Sequence, residues 1–229
     1  RKDVEFKDYP FPSAPEKPAL YFVDFPDAKQ SVIRIGNLSL AYTDENYYPV
    51  QVMNYKLGGN FNSYVNMILR EEKGFTYGAR TSFSGTLYPG YFSASSIVRS
   101  NATFESAQIF IDQMNKYREG IREEDLQFTK NALIKSNARR FETLGALRGM
   151  LNNIATYNLS FDYVKKYEEI VRNMTLEDQI ANSDMKREQY RWSGTCQGAT
   201  CAGWTGLNVL WSVTHEMDKD LGTNYHERL

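Results

Sequence analysis

The sequence predicts an α+β domain: a layered antiparallel or mixed sheet covered by helices. Two observations carry that expectation. Strand-like segments with alternating or continuous apolar residues crowd the first hundred positions, and helical periodicity takes over after Asn101. Composition agrees: 229 residues, 41% hydrophobic and 14% aromatic, suit one good-sized domain or two small ones with a real core.

Residues 1–18 are expected to be a linker, because Pro10, Pro12, Pro15 and Pro18 favour an extended tether over a helix. A tether at the start, with arginine as the first residue, gives the expectation of a fragment or processed product with something upstream. Leu20 to Phe25 reads as a strand, and Gln30 to Leu40 as a second, divided by the Pro26-Asp27 turn. Asp44 or Asn46 can cap the next helix, where Pro49 is tolerated because first-turn amides have no helical partner. That helix sends Tyr48, Val52, Met53 and Leu57 toward the core, and Gly58-Gly59 reverses the backbone.

A short helix follows. Phe61, Tyr64, Val65, Ile68 and Leu69 form one apolar stripe, while Ser63, Asn66 and Arg70 project together on the other side. Gly74 ends this helix, and strict alternation in the next strand puts Phe75, Tyr77, Ala79 and Phe83 on one face. Thr76 to Gly85 and Gly90 to Arg99 read as paired strands around a Tyr88-Pro89-Gly90 turn.

Phe104, Ala107, Ile111 and Met114 space the first long helix, which ends at Gly120. A second helical stretch runs from Glu123 to about Tyr157, with Leu126, Leu133, Phe141, Leu144, Leu151 and Ile154 on its apolar face and a break near Gly145. Asp162 to Arg172 is a further helix, and Thr175 with Asp178 makes a capping box for the last.

A net charge of −1 argues against a nucleic-acid surface, and no apolar run is long enough to cross a bilayer. Cys196 and Cys201 could be a disulfide or half of a metal site, but two free thiols is the reading adopted. Four Asn-x-Ser/Thr sequons, at Asn37, Asn101, Asn158 and Asn173, are attributed to chance.

Candidate chemistry centres on Arg70 and Tyr77. A guanidinium at a helix end and a phenol early in the next strand can sit close together. The fork of donors suits a carbonyl or carboxylate, and the phenol can donate to a developing oxyanion. Spacing alone also fits a solvated helix end beside Glu71 and Glu72 and an ordinary core tyrosine. Ser63 and Asn66 are candidate substrate-binding residues, with helix packing as the commoner role for such side chains. No metal site is expected: in His215-Glu216-Met217-Asp218-Lys219 an ammonium stands where a second histidine ligand is needed. The tail glycines lack the lysine of a phosphate loop, since Trp204 follows Gly203.

The motifs LGG and LREEKGFTYGA, with an arginine and a tyrosine seven residues apart, resemble the second half-domain of the pitrilysin/insulinase family of zinc metallopeptidases, the inverzincins. The resemblance runs from about Ala19 to about Gln179. It implies that Arg70 and Tyr77 reach into a shared catalytic cleft, hold the substrate backbone and stabilise charge on the attacked carbonyl. It also implies that zinc, its H-x-x-E-H ligands and the glutamate base come from an upstream half-domain or a partner chain. The chain would then be the substrate-binding, cleft-closing half of an endopeptidase, inactive by itself, with an extended peptide paired along a sheet edge. The family's inactive subunits leave a second possibility open, a non-catalytic partner or scaffold. A third is a free-standing peptide-binding module. The localisation is left unknown; the resemblance to bacterial members with exported domains suggests the cell envelope or periplasm, with no signal for it in the sequence.

The tail, residues 180–229, departs from this resemblance. It holds both cysteines, both histidines and all three tryptophans, where family members carry an apolar edge strand ending near Val-Val-Gly-Asp. The expectation is an out-of-frame ending that leaves the domain one strand short.

Overall fold

The structure is a computed structural model and describes residues 29–139, 141–184 and 208–211. Its sheet is built from β1 (Gln30–Leu38), β2 (Thr76–Ser84), β3 (Tyr91–Arg99) and β4 (Asn208–Trp211) in the order β2-β3-β1-β4, every pair antiparallel. The expected α+β layering is found, and the sheet is antiparallel throughout. Alternation explains why one face is buried. Ile33 and Ile35 of β1 and Phe92, Ala94 and Val98 of β3 point to the helices, while Val32, Arg34 and Ile97 point away.

Between β1 and β2 the chain makes α1 (Tyr47–Asn54), which passes into a π-helical turn at Tyr55–Gly59. It then makes the single turn α2 (Tyr64–Asn66), followed by a second π-helical turn at Met67–Glu72. Val50, Met53, Leu57, Val65 and Leu69 from this segment are buried against the sheet, together with Phe110 and Met114 of α3 (Thr103–Arg118). Gly58 allows this close packing, because a Cβ there would lie 2.4 Å from the Thr81 amide nitrogen and 2.3 Å from its Oγ1.

A second, smaller core joins Val52, Leu126, Val171 and Met174. It lies between α1, α4 (Glu123–Arg139) and α6 (Tyr163–Asn173). The helical stretch expected from Glu123 to about Tyr157, with a break near Gly145, is two helices, α4 and α5 (Leu144–Tyr157), parted just before Gly145. Thr143 caps α5, its hydroxyl accepting from the Ala146 amide at 3.1 Å. The apolar positions of α5 are not core: none of its residues is buried, and Leu144 and Leu151 are exposed. The capping box before α7 (Leu176–Asp184) is present, with Asp178 accepting from the Thr175 amide at 2.8 Å and Thr175 accepting from the Asp178 amide at 3.1 Å.

β4 comes from within the atypical tail and pairs with β1 from Ile33↔Trp211 to Gly36↔Asn208, so that edge of the sheet carries a strand. The linker, the expected Leu20–Phe25 strand, the cysteines and the histidines lie outside the described residues.

Candidate functional site

Arg70 sits in the π-helical turn Met67–Glu72. Its guanidinium carbon lies 4.6 Å from the centroid of the Phe61 ring, and Nε is 3.4 Å from Glu71 Oε1. The side chain keeps 38% of its surface exposed, so the fork can still reach a ligand. Phe61 departs from the expected apolar stripe: it is exposed and serves as the platform under Arg70. The 3.6-residue wheel does not apply to Phe61, because it lies in the turn before α2, ahead of the N-cap Ser63.

Strict alternation buries Tyr77 beside Ala79, but the structure exposes it by 93%. A β-bulge is the cause. Thr76 pairs with Val98 and Ala79 with Ser96, so β2 spends one residue more than β3 between the two pairs. The extra residue turns Tyr77 outward while Ala79, Thr81 and Phe83 stay in the core. Two hydroxyls hold the bulge. Thr76 Oγ1 donates to the Ile97 carbonyl at 2.6 Å and accepts from the Gly78 amide at 3.1 Å, and Ser96 Oγ lies 2.9 Å from Thr76 Oγ1 and 3.0 Å from the Gly78 carbonyl.

Arg70 and Tyr77 line one open groove of about 600 Å3, with Phe61, Gly58 and Gly59 on one wall and Val32, Arg34, Arg80 and Ile97 of the open sheet face on the other. Among the described residues, none of those lining it is acidic. Sequence reasoning had no signal for Arg34 and Arg80, which the strand register brings here, or for Thr76 and Ser96.

Ser63 and Asn66, placed by the wheel beside Arg70, are both buried. Ser63 is not among the residues lining the groove, and its Oγ has no hydrogen-bond partner among the described residues. Asn66 borders the groove, yet its amide is engaged inside the protein. Nδ2 donates to the Phe61 carbonyl at 2.7 Å, and Oδ1 accepts from the Ala79 amide at 3.0 Å. Asn54 donates to the Thr81 carbonyl at 2.9 Å, and Gln51 donates to that of Phe83 at 3.1 Å. These side chains occupy outward-facing backbone groups of β2 from Ala79 to Phe83, so that edge does not present the free ladder that strand addition needs.

Asp125 of α4, whose side chain is 5% exposed, gathers three donors: Lys56 Nζ at 3.1 Å, Arg122 Nε at 2.9 Å and Tyr64 Oη at 2.5 Å. Burial pushes the Asp125 carboxyl up, but hydrogen bonds from Arg122, Tyr64 and Lys56 outweigh it and leave the group below its ordinary value. Burial, with the Asp125 hydrogen bond, pushes the Tyr64 phenol up to about 12. The cluster pins α4 against the segment carrying Arg70.

Among the described residues, no three His, Cys, Asp or Glu side chains gather as a metal site. Both histidines and both cysteines lie outside the described residues.

The family model described as "Peptidase M16 inactive domain" matches residues 1–133. No curated protein matches the chain. The fold is similar to the peptidase M16 inactive domain from Pseudomonas fluorescens, with TM-score 0.65 and 23% identity over 76% of this chain and 43% of that one. A protease from Helicobacter pylori matches with TM-score 0.67 and 13% identity over 80% of this chain and 45% of that one. The periplasmic protease PqqL from Escherichia coli matches with TM-score 0.57 and 14% identity, over 71% of this chain and 18% of that one. The chain thus spans less than half the length of these three solved structures, and the likeness to them is one of fold.

Proposed function

The chain belongs to the peptidase M16 family through its inactive domain, and from that premise we propose that it is the substrate-binding, cleft-closing half of a zinc-dependent endopeptidase. Arg70 holds a carbonyl of an extended peptide with its planar fork, steadied from below by Phe61. Tyr77 donates its phenolic proton in a hydrogen bond to the oxyanion that develops on the attacked carbonyl. Zinc, its ligands and the base that activates water are supplied by an upstream half-domain or partner chain. The single observation supporting this reading is the bulge that overrides strand alternation to present Tyr77 in the groove that Arg70 also lines.

In this scheme Asn66 is a positioning residue. It ties the Arg70 segment to β2 and leaves the substrate contacts to Arg70 and Tyr77. Because side chains occupy the β2 edge between Ala79 and Phe83, the peptide crosses the groove without adding a strand there.

The test is complementation. The chain is combined with a zinc-bearing half containing H-x-x-E-H, and cleavage of a quenched fluorescent peptide is followed with and without chelator. Zinc-dependent cleavage that falls about a hundredfold or more in Tyr77→Phe is the expected result. Full cleavage without this chain would leave it a non-catalytic partner.

A further inference from the structure

Arg34 and Arg80 have no place in the scheme above, yet register brings them together. Both lie opposite Ser95, Arg34 from β1 and Arg80 from β2. Directly opposed residues share a face, so two guanidinium groups flank one serine on the open side of the sheet, their Cα atoms about 10 Å apart across two strand spacings. Both are exposed, and both line the groove with Arg70 and Tyr77. Among the described residues neither has an ion pair, whereas Arg70 has Glu71 beside it. Among the described residues no acidic side chain lines the groove to offset them. Two like charges on one sheet face are unfavourable without a counter-ion, and a planar bidentate anion is the ligand that paired forks match best.

We propose that Arg34 and Arg80, with Ser95 between them, form a carboxylate subsite that makes the groove select peptides carrying a carboxylate near the segment held by Arg70 and Tyr77. This rests on the groove being a peptide site, as proposed above. The carboxylate comes from an acidic side chain or from the peptide's own C-terminus, and both present the same two oxygens. Apolar Val32 and Ile97 lie one pair along on the same face, opposite each other, and offer an aliphatic floor beside the charged pair.

Binding to the full chain is measured by fluorescence anisotropy with three labelled peptides of one sequence. The first has blocked ends and a central Glu, the second has Gln in its place, and the third has Gln and a free C-terminal carboxylate. The expected result is about tenfold tighter binding of a carboxylate-bearing peptide than of the blocked Gln peptide, narrowing as salt rises. Preference for the first assigns the carboxylate to a side chain, and preference for the third assigns it to a C-terminus. The preference is lost in Arg34→Gln/Arg80→Gln but kept in Lys165→Gln, which removes a charge elsewhere. Equal binding of all three peptides by the unmodified chain overturns the proposal without any variant, as does a preference that survives the double substitution. Loss of zinc-dependent cleavage in the complemented enzyme, with the Glu-over-Gln preference intact, would count against the endopeptidase reading and leave the subsite standing.

Discussion

Asn66 Oδ1 accepts a hydrogen bond from the Ala79 amide at 3.0 Å, joining the helical segment that carries Arg70 to the strand that carries Tyr77. The same side chain donates to the Phe61 carbonyl at 2.7 Å, so one carboxamide sets the platform, the helix and the strand relative to one another. Asn66→Ala removes both bonds at a buried position and leaves the Ala79 amide without its partner. The expected cost is about 2 kcal/mol in urea unfolding. In the complemented enzyme kcat should fall more than KM rises, because the groove donors lose their mutual placement.

The bulge makes a separate prediction. Thr76→Val keeps the shape but deletes the hydroxyl that meets Gly78, Ile97 and Ser96. Stability should drop by about 1 kcal/mol. Turnover should fall in Thr76→Val, and adding Tyr77→Phe should give less than the sum of the two losses, because both act through one phenol. Additive losses would separate Thr76 from Tyr77.

The buried charge cluster makes folding sensitive to pH at both ends. Asp125 is held below its ordinary pKa, so its contribution is fully present above the usual aspartate value of about 3.9 and is lost as pH falls through the lower folded-state value. Tyr64 is raised from 10.0 to about 12, so its contribution is present below 10 and fades between 10 and 12. Asp125→Asn leaves Lys56 and Arg122 facing a neutral group and should cost about 3 kcal/mol. Urea midpoints measured from pH 3 to 7 check this: the acid limb should flatten in Asp125→Asn.

Two glycines have different reasons, and substitution separates them. Alanine at Gly58 would drive a Cβ into the Thr81 backbone, an overpacking cost of about 2 kcal/mol. Gly74 has open space around it but a φ of +62°, so Gly74→Ala should cost about 1 kcal/mol through backbone strain alone. Thermal melts of the two variants give the ranking directly.

Much of the fold was legible because its signals are local. Alternation marks β1 and β3, and the Thr175–Asp178 box marks the start of α7. Arg70 and Tyr77 stood out through a motif. What periodicity could not supply is the geometry created by long-range contacts. The Tyr77 bulge depends on Ser96, twenty residues away from Thr76 in the chain. The helix starts only after Ser63, which leaves Phe61 in the preceding turn and out of the core stripe, and the π turn at Met67–Glu72 changes the phase of Arg70 relative to Asn66, whose side chain bonds the Ala79 amide of β2. Arg34 and Arg80 are distant in sequence and meet only through their common partner Ser95. Leu144 and Leu151 have helical spacing, but spacing cannot say whether anything covers them, and among the described residues α5 has none that is buried.

If Arg70 and Tyr77 act together on one bound peptide, a double-mutant cycle on kcat/KM in the zinc-complemented enzyme shows it. Arg70→Ala and Tyr77→Phe should each lower kcat/KM by about a hundredfold, with the double variant losing clearly less than the product of the single losses. Full activity in both single variants would contradict it.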